Sequence, residues 1–151
     1  PEAFYATYFT TKIEDFDADI FVKGKEIVLS KWIELNKKGN NATTKEKNQI
    51  TLLEVVFEMY QRNIKLLSVD LYKSSADKFI TTDNGILPPL NSLQGLGINA
   101  AQNIVNAREE SPFISMDELR ERAKLSRTVI DILRIHGCLA NMPENSQLCL
   151  F

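Results

Sequence analysis

The segment Gly95-Leu96-Gly97 lies between two stretches of helical periodicity and constrains the fold more than any other feature. Glycine permits backbone angles closed to other residues and leaves no side chain between a loop and a ligand. We predict a helix-hairpin-helix in which Leu96 points inward and the second helix starts at about Ile98. The free N–H groups and the positive dipole end of that helix would then face one point.

Backbone N–H groups at such a turn are suitable donors for a phosphate oxygen. A site built from backbone donors holds DNA without reading its sequence. The chain needs a local device of this kind, because its formal net charge of −2 argues against a generally basic nucleic-acid binder. A bare G-x-G pattern is also compatible with glycines that only end one helix and begin the next. The DNA-binding residues predicted in this hairpin are Gly95, Leu96, Gly97, Asn99 and Ala100.

A second helical pair follows, and its turn Lys124-Leu125-Ser126-Arg127 lacks glycine. Ser115 and Glu118 have the spacing of a capping box at its start. Two tandem hairpins, one sharp and one degenerate, are typical of DNA enzymes, and this context favours DNA contact over a pure scaffold. We expect the second hairpin to serve packing more than DNA binding. Ser126 and Thr128 are nevertheless candidate caps beside a phosphate, with Arg127 nearby.

The first half of the chain predicts helices and a small β-hairpin. Thr43 and Glu46 form a capping-box pattern before the longest helix. Leu67, Val69 and Leu71 alternate with other residues as in a strand, and Asp83-Asn84-Gly85 is typical of a hairpin turn. The predicted class is mainly α (α+β). Its expected parts are a helical region with a β-hairpin (1–89), tandem helix-hairpin-helix motifs (90–140) and a flexible tail (141–151), with Pro88-Pro89 separating the halves.

The sequence ends in Gln147-Leu148-Cys149-Leu150-Phe151, which resembles the pentapeptide by which bacterial polymerases bind the sliding clamp. An amide fixes orientation, and apolar side chains fill a preformed groove. The predicted clamp-binding residues are Gln147, Leu148, Leu150 and Phe151; related peptides more often carry Ser or Asp where Cys149 stands.

Other reactive side chains predict no catalytic or metal site. Asp15, Asp17 and Asp19 have the offsets of a calcium loop, but Ile20 occupies the position where the sharp turn requires glycine. His136 has no nucleophile or acid beside it in sequence. The two cysteines are interpreted as free thiols of a cytoplasmic protein, and no apolar run is long enough to cross a membrane.

Several segments together resemble the PolC-type DNA polymerase III α subunit over nearly the whole chain. They are the glycine hairpin, the terminal pentapeptide, Phe4-Tyr5-Ala6, Asp70-Leu71-Tyr72-Lys73-Ser74, Ala107-Arg108-Glu109-Glu110 and Pro112-Phe113-Ile114-Ser115. The resemblance implies a C-terminal slice that begins at the end of the fingers region, in agreement with a first residue, Pro1, that is not methionine. Such an enzyme is a DNA-directed DNA polymerase, a nucleotidyltransferase that uses palm aspartates and Mg²⁺ and carries a proofreading exonuclease.

None of those catalytic motifs is present here, so this segment is expected to hold no catalytic residue and no cofactor. The expected partners are duplex DNA, the bacterial sliding clamp and the remainder of the polymerase chain. Two other hypotheses stay open at this point. One is a free-standing helix-hairpin-helix adaptor in repair or DNA uptake, and the other is an interaction domain without a DNA role.

Overall fold

The structure, a computed structural model, describes residues 1–145 as a mainly helical fold with one two-stranded sheet. This confirms the predicted class. Single 3-10 turns cover Ile13–Asp15, Gly39–Asn41 and Leu90–Ser92. The other elements are α1 (Glu2–Thr11), α2 (Ala18–Phe21), α3 (Lys25–Asn36), α4 (Thr44–Gln61), β1 (Ile80–Thr82), β2 (Gly85–Leu87), α5 (Ile98–Glu110), α6 (Met116–Ala123) and α7 (Arg127–His136).

An aromatic cluster forms the core of the first half. The rings of Phe9, Phe16 and Phe79 are each 6% exposed or less, and their centroids lie 4.8 to 5.5 Å apart. Helices α3 and α4 pack against each other, and α4 begins with the predicted capping box. The Thr43 hydroxyl accepts from the Glu46 N–H, and the Glu46 carboxylate accepts from the Thr43 N–H.

The β-hairpin is confirmed, with Asp83 and Asn84 as its two-residue loop because Thr82 pairs with Gly85. Glycine is required at position 85. Its φ is 146°, and a Cβ atom there would lie 2.5 Å from the Lys65 carbonyl oxygen. That oxygen accepts from the Ile86 N–H at 2.8 Å, so the chain before the hairpin runs close to β2.

The strand predicted through Leu67, Val69 and Leu71 is wrong. The segment makes one isolated bridge, between Leu66 and Ile86, and then turns at Asp70. The Asp70 carboxylate accepts the N–H groups of Tyr72 and Lys73, which ends any extended conformation. Val69 and Leu71 are buried in an irregular segment and do not belong to a strand.

Buried side chains on both sides of Pro88-Pro89 belong to one contiguous core. Phe16 and Phe79 of the first half share it with Leu93, Leu96 and other residues of the second. Only the 3-10 turn Leu90–Ser92 stands where the first helix of the glycine hairpin was expected. The boundaries at residues 89 and 140 stay predictions, since the hydrophobic core is continuous across the first of them.

Candidate nucleic-acid interface

The glycine hairpin has the geometry that leaves a helix N-terminus open. Gly95 has a φ of 92°, Leu96 is buried, and Gly97 caps α5 with φ −75° and ψ 170°. Gly95 needs the backbone freedom of glycine, as predicted, whereas the backbone angles of Gly97 suit any residue, contrary to the prediction. A Cβ atom at Gly97 would meet no heavy atom within 4 Å, so its value is the empty space before α5.

The first turn of α5 has backbone donors without a side-chain acceptor at its cap. Asn99, the second residue of the helix, is exposed, and Ala100 is half-buried against the core. The Gly97 carbonyl accepts from the Ala101 N–H at 3.0 Å, which closes the first intrahelical bond. The N–H groups of Ile98, Asn99 and Ala100 therefore have no acceptor within the helix.

The second hairpin repeats this backbone without glycine. Lys124 takes a left-handed conformation (φ 55°, ψ 48°), Leu125 is buried, and Ser126 caps α7 with φ −75° and ψ 162°. The Ser126 hydroxyl accepts from the Val129 N–H at 3.2 Å, so part of this N-terminus is already satisfied. Thr128 is exposed and does not cap the helix.

The two hairpins pack on each other. Ile132 of α7 reaches the first turn so closely that a Cβ atom at Gly95 would lie 2.9 Å from its Cδ1 atom. Helices α5 and α6 are in contact, and the Ala101 side chain of α5 is completely buried. The Ile132 side chain of the second hairpin therefore packs against the glycine turn of the first.

The glycine hairpin is also attached to the first half of the chain through Gln94. Its Nε2 donates to the Phe16 carbonyl at 2.6 Å, and its Oε1 accepts from Lys45 Nζ at 2.7 Å. The attachment places an exposed lysine of α4 beside Gly95. Sequence reasoning missed Lys45, and no signal in the sequence pairs it with a residue 49 positions away.

Acidic side chains line the concavities beside both hairpins. A concavity of about 260 Å³ beside Gly95 and Gly97 is lined by Glu14 and Asn91 as well. On the second hairpin, Arg127 shares a concavity of about 270 Å³ with two further arginines, but three carboxylates line it too. Those arginines are Arg120 and Arg134, and the carboxylates are Asp117, Asp131 and Glu144.

Two other arginines of the helical half hold loops together. Arg108 donates from Nη1 to the Leu71 carbonyl at 3.0 Å, and burial lowers the pKa of its guanidinium. Arg122 donates to the Ala107 carbonyl at 2.6 Å and covers the Phe113 ring at 4.6 Å. Both side chains are engaged in structure, which leaves Arg127 as the arginine nearest to a hairpin turn.

His136 has a structural role that its position in sequence did not predict. Its Nε2 accepts from the Val69 N–H at 2.9 Å, and its Nδ1 lies 3.0 Å from Asp19 Oδ1. An acid partner is therefore present, contrary to expectation, but it joins α2 to the end of α7. Cys138 beside it donates to the Val69 carbonyl, and burial raises the pKa of its thiol to about 12.

Among residues 1–145, no group of three or more His, Cys, Asp or Glu side chains is placed to hold a metal ion. Of the aspartates that have calcium-loop spacing, Asp17 is the residue before α2, and burial raises the pKa of its carboxyl. Within the same residues, no helix is both long and apolar enough to span a bilayer. The predicted clamp-binding residues Gln147, Leu148, Leu150 and Phe151 lie outside the described part.

The sequence is similar to a family of helix-hairpin-helix motifs and to part of several DNA polymerases. A family model described as "Helix-hairpin-helix motif" matches residues 63–148. The whole chain is 55% identical to part of a DNA polymerase III PolC-type from Caldanaerobacter subterraneus and 54% identical to that of Clostridium perfringens, covering 11% and 10% of them. The protein of the same name from Bacillus subtilis is 47% identical over 148 residues. The chain therefore spans about one tenth of the length of these relatives.

Proposed function

This chain belongs to the helix-hairpin-helix motif family, and we propose that it is the C-terminal, duplex-holding part of a PolC-type replicative DNA polymerase. The observation that carries the proposal is the open N-terminus of α5 beside Gly97, on a segment that matches these polymerases throughout. In this role the chain holds DNA, and the nucleotidyl transfer, its Mg²⁺ and the proofreading exonuclease belong to the rest of a cytoplasmic enzyme.

The glycine hairpin binds a backbone phosphate through α5. The N–H groups of Ile98, Asn99 and Ala100 point at the empty space beside Gly97, and the helix dipole adds partial positive charge there. Leu96 contributes indirectly, because its buried side chain holds the hairpin loop in place. Since these donors are backbone groups, the contact does not distinguish base sequences.

The second hairpin contributes a weaker contact to the neighbouring phosphates. Its Ser126 hydroxyl accepts the Val129 N–H and keeps its own O–H as a donor, and Arg127 and Thr128 beside it are exposed. Arg127 supplies the charge, and Asp131 and Asp117 in the same concavity reduce its long-range attraction. Binding to duplex DNA is therefore modest and sensitive to salt.

The terminal residues Gln147, Leu148, Leu150 and Phe151 bind the sliding clamp. Support comes from the sequence, in which an amide and three apolar side chains have the spacing of a short groove-binding peptide. So small a contact gives a Kd on the order of micromolar by itself. Simultaneous contact with DNA raises the effective strength, and the clamp keeps the enzyme beside the primer.

Two measurements on the full-length protein test these assignments. Anisotropy with a labelled DNA duplex of arbitrary sequence should show weaker binding for Gly97→Val, with the melting temperature as the control for folding. Deletion of Leu150 and Phe151 should abolish binding to the isolated clamp and leave duplex affinity unchanged. Equal duplex affinity for Gly97→Val would refute the phosphate contact, and equal clamp affinity after the deletion would refute the terminal motif.

The free-standing adaptor makes a different prediction about the gene. A polymerase requires a long reading frame upstream of Pro1 that encodes palm aspartates, whereas an adaptor requires a start codon close to it.

A further inference from the structure

The chain after α7 turns back and binds to the beginning of α6. Gly137 and Asn141 reverse its direction with φ values of 99° and 70°, and Leu139 between them is buried. The Pro143 carbonyl then accepts from the Met116 N–H at 2.9 Å, and the Glu144 carbonyl accepts from the Asp117 N–H at 3.0 Å. We call residues 137–144 the return arm.

The return arm accepts hydrogen bonds from backbone N–H groups of α6 that do not bond to the Ser115 side chain. Ser115 takes only the Glu118 N–H, so the N–H groups of Met116 and Asp117 need other acceptors. The two arm carbonyls meet these donors at the positive end of the helix dipole, where acceptors are most stabilised. By contrast, the cap of α5 contributes no side-chain acceptor, which is why the proposed phosphate contact falls on α5.

We propose that the return arm fixes where the clamp-binding terminus leaves the protein, so that clamp and duplex are held at a set distance. This inference rests on the proposed function of the terminus. Only Asn145 and Ser146 separate Glu144 from Gln147. Because consecutive Cα atoms are 3.8 Å apart, a spacer of this length has a reach of at most about 11 Å.

Anchoring of this kind changes how the clamp contact assists DNA binding. A long tether lets its peptide explore a large volume, and the effective concentration then falls with about the −3/2 power of tether length. The return arm is bound to α6 through Pro143 and Glu144, so residues 137–144 do not add to the length of chain that separates the helices from the proposed clamp motif. The clamp is thereby kept next to the second hairpin, on the side where α6 begins.

The first test lengthens the tether in the full-length protein. A Gly/Ser segment of about ten residues is inserted between Asn145 and Ser146, and Ser146→Gly serves as the control that preserves length. We expect unchanged affinity for the isolated bacterial clamp and about 10-fold weaker affinity for the clamp loaded on duplex DNA. Unchanged affinity for the loaded clamp would overturn the inference.

The second test removes one of the two hydrogen bonds between the return arm and α6. Met116→Pro removes the N–H that binds Pro143, yet proline is tolerated at the first helical position and the extended Ser115 (φ −151°, ψ 167°) accepts it as a neighbour. Met116→Ala is the matched control, because it loses the side chain and keeps the N–H. We expect several-fold faster hydrogen exchange at the Asp117 amide in the proline variant alone, and equal exchange in both variants would contradict a docked arm.

These results separate the inference from the function beneath it. If removal of Leu150 and Phe151 left binding to the isolated clamp intact, the clamp motif itself would be wrong. If removal of the two residues abolishes that binding but the Gly/Ser insertion leaves affinity for the loaded clamp unchanged, the clamp motif is correct and the return arm has no positioning role.

Discussion

Gly97 and Ser126 cap α5 and α7 with nearly the same backbone angles, −75° and 170° against −75° and 162°. Only Ser126 places a side-chain oxygen on its helix, where it accepts the Val129 N–H. The two turns therefore have similar cap conformations, and the caps differ by the hydroxymethyl side chain of Ser126. This difference leaves the first turn of α5 without a side-chain acceptor and satisfies part of that of α7.

Gly97→Ser should make the first hairpin like the second. The new hydroxyl can accept the Ala100 N–H, so the free energy of unfolding should rise by about 0.5 kcal/mol. The same bond occupies a donor proposed for phosphate, so duplex affinity should fall several-fold. Chemical denaturation and DNA anisotropy measure the two effects. A variant that is more stable and binds DNA as tightly as before would exclude this donor from the interface.

Lys45→Ala should weaken duplex binding by a similar factor for all DNA sequences. Gln94 accepts a hydrogen bond from the Lys45 ammonium beside the glycine turn, and we expect that charge to neutralise one phosphate. The slope of log K against log salt concentration should therefore decrease by about one. Lys47→Ala is the matched control, because Lys47 is exposed on another face of α4. Equal effects of the two substitutions would mean that only net charge matters.

His136→Ala should destabilise the protein by about 2 to 3 kcal/mol without a direct effect on DNA contact. It removes the acceptor of the Val69 N–H and leaves that donor without its partner in the core. Ile135→Ala, at a neighbouring position that is 75% exposed, should cost much less. Urea denaturation gives the free energy of unfolding of both variants. Similar losses of stability would show that the His136 hydrogen bond contributes little.

Glu46 should give the beginning of α4 a dependence on pH. The hydrogen bond from Lys38, followed by that from the Thr43 N–H, lowers the pKa of the Glu46 carboxyl to about 2. A carboxyl with a lowered folded-state pKa contributes stability above its unfolded pKa, and the contribution is lost as pH falls towards 2. The difference in stability between the parent and Glu46→Gln should thus be present at neutral pH and vanish in acid.

The sequence by itself determined the features that are set within a few residues. The positive φ at Gly95, the start of α5 at Ile98, the capping box of Thr43 with Glu46 and the β-hairpin all followed from local backbone chemistry. The same holds for the buried Leu96. In each case the interaction joins neighbours in the chain, so that residue type and spacing are sufficient to predict it.

Only the tertiary structure decided the contacts between distant residues. It placed Lys45 beside Gln94, gave His136 both Val69 and Asp19 as partners, and returned the chain at Glu144 to α6. It also replaced the predicted strand near Val69 with an irregular segment, because apolar alternation records which side chains are buried and not what buries them. Hydrogen bonds over such separations depend on how the helices pack, and the packing is a property of the whole core.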